Sequence, residues 1–439
     1  MNTPICDFIN EYAESGMTRF HMPGHKGRGI LGVEGKDITE IKGADELFAP
    51  EGIIAESEAN AAWLFGSGAT LYSTEGSSLC IRTMLALVSQ FARSESRTVL
   101  AGRNAHRAFI TACALLDLDV VWLWPEEYSL CSCNIGADQV EQALAGMEEK
   151  PCAVYVTSPD YLGNTLDIRG VSEAAHRYNV PLVVDNAHGA YLKFLPESLH
   201  PLDLGADMCC DSAHKTLPVL TGGAYLHISK DAPRAFAANA KYAMSIFAST
   251  SPSYLILQSL DAANVLINES WRADLVGCAV KLKSFRERFE RKGWSFWGDE
   301  ALKLTICTAD GIKLAGQLRT FKIECEYADP DYVVLMMSPY NIEELMRLDA
   351  AMSLMEPEKL SKEVLTLEKP EKALSIREAA FAPARVIPAG EAIGRIMASE
   401  TLSCPPAISV AVSGEIINES TARAFEYYGI KEVRVVEQN

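Results

Sequence analysis

Between Ala59 and Val280, short β-branched and apolar runs alternate with longer stretches of helical periodicity. Residues 98–101, 120–123, 153–157, 182–185 and 208–212 read as buried strands. Residues 78–93, 106–116, 137–148 and 171–178 read as the helices between them. Strands that alternate with helices imply βαβ crossovers and a mostly parallel sheet covered on both faces. Functional groups in such α/β sheets gather at the carboxyl ends of the strands.

The flanks read differently. Residues 1–55 are rich in Gly, Pro and charge and predict an irregular arm with a short opening helix at 5–15. Residues 260–292 predict one long helix with a basic end. Beyond it, 303–307, 321–326 and 333–337 read as strands, and 342–354, 375–380 and 391–399 as helices. The expected division is an arm (1–55), a large domain (56–270) and a smaller C-terminal α/β part (271–439). A chain of 439 residues accommodates two such domains.

Charge and composition exclude several functions. The 40 Lys and Arg stand against 58 Asp and Glu, a net charge of −18. That balance argues against nucleic-acid and anionic-membrane partners; it reads first as a solubility feature, and it would also suit a cationic small molecule. The N-terminus shows no basic region followed by an apolar core, and no apolar run approaches the ~20 residues of a membrane span, so a cytoplasmic enzyme is expected. The twelve cysteines are scattered without metal-site spacing, which reads as reduced thiols.

Four stretches carry chemistry. Ser212-Ala213-His214-Lys215-Thr216 puts a lysine just past a buried strand. A lysine there suits Schiff-base formation with an aldehyde, which needs an amine of lowered pKa. The strand 182–185 ends in Asp185, followed by Asn186-Ala187-His188-Gly189. A carboxylate at that point would keep the ring nitrogen of pyridoxal phosphate protonated and the ring electron-withdrawing. Gly76-Ser77-Ser78 opens a helix, where free N–H groups and the helix dipole attract phosphate. His106 follows the run 98–101 and could stack on an aromatic ring or exchange protons.

The order of these stretches resembles the pyridoxal-phosphate-dependent ornithine/lysine/arginine decarboxylases of fold type I. Further blocks carry the resemblance: Phe20-His21-Met22-Pro23-Gly24-His25-Lys26-Gly27, Gly43-Ala44-Asp45-Glu46-Leu47-Phe48, Arg103-Asn104-Ala105-His106-Arg107 and Ser249-Thr250-Ser251-Pro252-Ser253-Tyr254. Fold type I implies a seven-stranded, mostly parallel sheet between helices and a smaller C-terminal domain. The resemblance implies that Lys215 forms the Schiff base, Asp185 pairs with the pyridine nitrogen, Ala187 lies under the ring and His106 stacks on its other face. It implies phosphate or lysine-side contacts for Gly76, Ser77, Ser78, Ser212 and His214. Thr250 resembles a residue offered across a dimer interface, so a homodimer or tetramer with a shared site is implied. Glu326 matches a family glutamate that meets the distal cation of the substrate.

The expected reaction is decarboxylation of lysine, arginine or ornithine to the amine and CO2. Two alternatives stay open. One is another fold-type-I reaction such as transamination, for which Arg377, Arg385 and Arg395 are candidate carboxylate clamps. The other is a catalytically impaired homologue. Near the C-terminus the family's Pro-Pro-Gly-Ile-Pro and Pro-Gly-Glu blocks are replaced by Pro405-Pro406-Ala407-Ile408-Ser409 and Ser413-Gly414-Glu415. No block of the larger relatives' N-terminal wing is present in the sequence, so large wing-built rings are not expected.

Overall fold

The computed structural model describes residues 1–125, 131–358, 365, 367–399 and 409–437. Two compact units are built from interleaved segments. The first contains Met1–Glu95, Cys152–Val154 and Ile168–Ala273; the second contains Ser96–Pro151, Tyr155–Asp167 and the described residues from Asp274 onward.

A seven-stranded sheet consists of β1 (Ala69–Ser73), β2 (Thr98–Gly102), β3 (Asp119–Leu123), β4 (Ala153–Thr157), β5 (Leu182–Asp185), β6 (Met208–Asp211) and β7 (Ala224–Ile228). Their order is β1-β7-β6-β5-β4-β2-β3. The parallel pairing of β5 with β6 puts Asp185 level with Cys210, and β2 runs parallel to β3. β7 is antiparallel to both neighbours, β6 and β1. Two reversals restore β1 to the direction of β6. Ser73, Asp185 and Asp211, each the last residue of its strand, therefore end at one edge of the sheet. The five expected strands are present to within a residue, and the α/β, mostly parallel expectation holds. β1 and β7 are additions to it.

The strands are short and apolar because both faces are covered: every residue of β5, β6 and β7 is buried. The helix Gly76–Phe91 buries Leu79, Ile81, Met84, Leu85, Leu87 and Val88, so apolar residues surround most of its circumference. The opening helix, Pro4–Glu14, has Pro at its start, where the missing N–H costs nothing. Ile5 and Ile9 bury one face of it. Its Ile5 and Cys6 N–H groups donate to Asp261 at 3.0 and 2.9 Å, a cap supplied from far along the chain.

The second unit holds a four-stranded antiparallel sheet of β8 (Ser295–Trp297), β9 (Lys303–Cys307), β10 (Tyr327–Ala328) and β11 (Tyr332–Met336), in the order β10-β11-β9-β8. Phe285, Phe289, Leu304, Ile306, Leu318, Val333 and Leu348 form its core. A ribbon of β12 (Ala384–Pro388) and β13 (Glu432–Val436) completes the strands. The predicted long helix is Tyr254–Leu266 and Arg272–Glu290 joined by a π-turn at Ile267–Trp271.

Two expectations fail. Residues 321–326 are not a strand: the helix Gly311–Thr320 runs up to them, and Lys322 takes a left-handed φ of 59° that closes it. Residues 391–399 are not a helix. Gly394 has φ 77°, and Ile396 and Met397 form bridges with Ile416 and Val435 instead. Among the described residues no helix is long and apolar enough to cross a membrane.

Candidate functional site

In the first unit the ends of β1, β5 and β6 assemble the polar groups. After β6, Ser212 begins a single helical turn, Ala213–Thr216, in which the Lys215 N–H donates to the Ser212 carbonyl at 2.9 Å. This turn lifts Lys215 to a half-buried position. Its amine lies 2.9 Å from His188 Nε2. His188 is buried and was not among the residues expected to act. A histidine three residues past a strand-end aspartate is the sequence signal that could have found it.

One strand over, Asp185 is 2% exposed. Its carboxylate accepts from the Ala187 N–H at 3.2 Å and from the Cys210 thiol at 3.6 Å. The Asn186 N–H donates to the Cys210 carbonyl at 3.0 Å, which keeps the two strand ends in step past the sheet. Ala187 is buried beside it.

At the end of β1, Gly76 adopts φ 70° and opens the helix Gly76–Phe91. A Cβ there would meet no atom within 4 Å, so the glycine serves the backbone turn and leaves open space above it. No side chain caps this helix at Glu75. Ser212 Oγ donates to Ser77 Oγ at 2.8 Å, joining the lysine turn to the helix start. Ser78 follows in the first turn, half-buried. His214 Nδ1 lies 3.0 Å from the Gly223 carbonyl, and burial lowers the pKa of its ring. Glu75 accepts from the Ser249 N–H at 2.7 Å, which ties down the loop that exposes Thr250.

Behind the strand ends lies a network that the sequence did not reveal. Asp211 is fully buried. Its Oδ2 receives His200 Nε2 at 3.1 Å and His227 Nε2 at 3.2 Å; its Oδ1 receives Asn186 Nδ2 at 2.6 Å. Burial alone would raise the Asp211 pKa, but the two imidazoles outweigh it and hold the carboxyl well below its usual range. Cys209 lies near the group, and burial pushes its thiol far up, which suits a hydrogen-bonded cluster better than thiolate ligation.

The second unit holds the other expected residues. His106 caps the helix Arg107–Leu116, its Nδ1 accepting from the Ala108 N–H at 3.1 Å. Glu326 is exposed and accepts from the Tyr161 hydroxyl at 2.9 Å; it precedes β10 rather than ending a strand. Arg103 stacks between Trp122 and Trp124, 5.1 Å from each ring, and pairs with Glu415 at 3.0 Å. Two motif blocks read separately in the sequence therefore meet. Position 414 requires glycine twice over: its φ is 91°, and a Cβ would lie 2.2 Å from the Leu374 carbonyl oxygen. Residues 405–408 of the altered tail block lie outside the described residues. Arg377 donates to the carbonyls of Ala114 and Leu115 and Arg395 to that of Val436, so both have backbone partners. Arg385 is exposed.

The residues of the first unit fit pyridoxal phosphate. An accessible amine, a buried carboxylate in parallel register and a hydroxyl pair at an uncapped helix start are the donor set that aldehyde, ring nitrogen and phosphate require. The buried Thr216 hydroxyl, without a partner, adds a donor beside the lysine.

The family described as Orn/Lys/Arg decarboxylase, major domain, matches residues 3–310. An arginine decarboxylase of Bacillus subtilis (strain 168) is 30% identical, the match covering 95% of this chain and 91% of that protein. One from Halalkalibacterium halodurans is 29% identical over 95% and 91%. The Francisella novicida lysine decarboxylase superposes with a TM-score of 0.80 at 18% identity, covering 99% of this chain and 81% of the other, a likeness of fold. The chain belongs to the Orn/Lys/Arg decarboxylases and is a pyridoxal-phosphate-dependent decarboxylase of fold type I.

Proposed function

We propose that this chain decarboxylates a basic amino acid (lysine, arginine or ornithine) to the corresponding amine and CO2. The observation that carries the reading is the lysine turn after β6 standing one strand from the buried Asp185 in parallel register. Pyridoxal phosphate, when bound, supplies the electron sink for the cleaved C–C bond.

The protein's share is orientation and proton handling. Lys215 would anchor the cofactor and return a proton to Cα. Asp185 would hold a proton at the ring nitrogen, and Ala187 would pack against the ring. Gly76, Ser77, Ser78, Ser212 and His214 would hold the phosphate or the lysine turn. His106 is assigned to the other face of the ring and Glu326 to the distal cation of the substrate. Thr250 is assigned to a neighbouring subunit's site, in a homodimer or tetramer in the cytoplasm. The net charge of −18 serves solubility first and is compatible with a cationic substrate.

The test is CO2 release from lysine, arginine and ornithine by the cofactor-loaded protein, with the amine identified. Keto-acid-dependent amino transfer in place of CO2 would select transamination. Protein that stays colourless after incubation with cofactor would remove both readings.

A further inference from the structure

Lys215 Nζ lies 2.9 Å from His188 Nε2. During turnover there is an interval when the amino acid, rather than the lysine, is joined to the cofactor. In that interval the lysine's remaining duty is to deliver a proton to the carbon that has lost CO2. The backbone builds the contact on purpose-made turns. The Gly189 N–H donates to the Asn186 carbonyl at 2.8 Å, folding the segment after β5 back on itself. The Lys215 N–H bond to Ser212 sets the lysine facing it. His188 is 5% exposed, so its ring is held by its surroundings rather than by solvent.

We propose that His188 is a positioning residue that aims the amine of Lys215 at the carbon that has lost CO2. The proposal rests on the reading of Lys215 as the cofactor lysine. The bond from Cα to the carboxylate breaks, CO2 departs, and the electron pair stays on the substrate carbon and its conjugated system. One N–H bond of the Lys215 ammonium, which donates another N–H to His188 Nε2, breaks, and its proton joins that pair as the new C–H bond. The lysine is left as the neutral amine that rejoins the cofactor and releases the product, and the proton count of His188 does not change. Lysine alone would carry the proton but would be free to rotate about its four-carbon stem. The imidazole Nε2 accepts an N–H of the lysine and limits that rotation.

The test uses the cofactor-loaded enzyme with His188→Gln and His188→Asn. Three quantities are read: cofactor trapped on Lys215 by borohydride, kcat and KM for decarboxylation, and the fraction of turnovers ending in an aldehyde and the pyridoxamine form of the cofactor. That last outcome records a proton delivered to the wrong carbon, which a purely structural role would not change. The expected result is intact trapping, a kcat lowered about a hundredfold with KM little altered, and a clear rise in wrong-carbon turnovers. Variants that trap cofactor yet keep wild-type kcat and partition would overturn the proposal. So would failure of both variants to trap it, since the contact would then be structural. Wild-type protein that traps nothing on Lys215 would instead overturn the reading of Lys215, and this proposal with it.

Discussion

Ser212 donates to Ser77 across 2.8 Å, and that bond ties the turn bearing Lys215 to the start of the helix Gly76–Phe91. Either hydroxyl can also turn toward a phosphate, so the pair holds the pocket before the cofactor arrives. Ser212→Ala should weaken cofactor affinity roughly fivefold, the equivalent of about 1 kcal/mol for one hydrogen bond. Ser77→Ala should do the same, and the double variant should lose less than the product of the two. Absorbance titration with pyridoxal phosphate measures all three, and strictly multiplicative losses would show that the hydroxyls act independently.

Asp185 should matter for turnover far more than for attachment. In Asp185→Ala the ring nitrogen loses its proton-holding partner while Lys215 is untouched. Borohydride should still fix cofactor to the protein, and kcat should fall by orders of magnitude. A variant turning over at the wild-type rate would contradict the assignment.

The Asp211 network predicts a stability effect with a pH signature. Asp211→Ala leaves His200, His227 and Asn186 Nδ2 without their shared acceptor in a fully buried place. Breaking such a group costs about 3–5 kcal/mol. Because the folded carboxyl is held below its usual range, the contribution is present above the unfolded value of about pH 4. It is lost as pH falls through the lowered folded value. Urea unfolding of wild type and variant at pH 7 and at acid pH should therefore converge toward the acid end.

His176 should show the opposite slope. Its Nε2 lies 2.8 Å from Asp207, whose hydrogen bond raises the histidine's pKa. The stabilisation is complete below about pH 6.5 and fades as pH rises through the raised folded value. His176→Gln should be less stable than wild type in mildly acid buffer and indistinguishable from it in alkaline buffer. A constant gap across that range would refute the linkage.

Where local pattern and tertiary structure agree, the sequence was legible. The strands bearing Asp185 and leading to Lys215 are runs of apolar residues that the sheet buries on both faces. β7 escaped notice because His227 interrupts its apolar character; the groups that let a histidine lie there, Asp211 and Thr70, are 16 and 157 residues away. Residues 391–399 carry helical spacing, but bridges to Ile416 and Val435 and the turn at Gly394 prevail. Glu415 could be matched to a motif, yet its ion pair with Arg103, 312 residues away, could not be read from either block.

β7 runs against its neighbours, and this gives the sheet a working rim and a silent one. Ser229, just past β7, donates its N–H to the Asp207 carbonyl at the beginning of β6, so the chain there has returned to the rim opposite Asp185 and Asp211. Lys230 and Asp231 are exposed at that point. A fluorophore, affinity tag or surface tether placed there would have the length of the strands between it and the chemistry. The reversed strand thus supplies the protein engineer with a built-in handle.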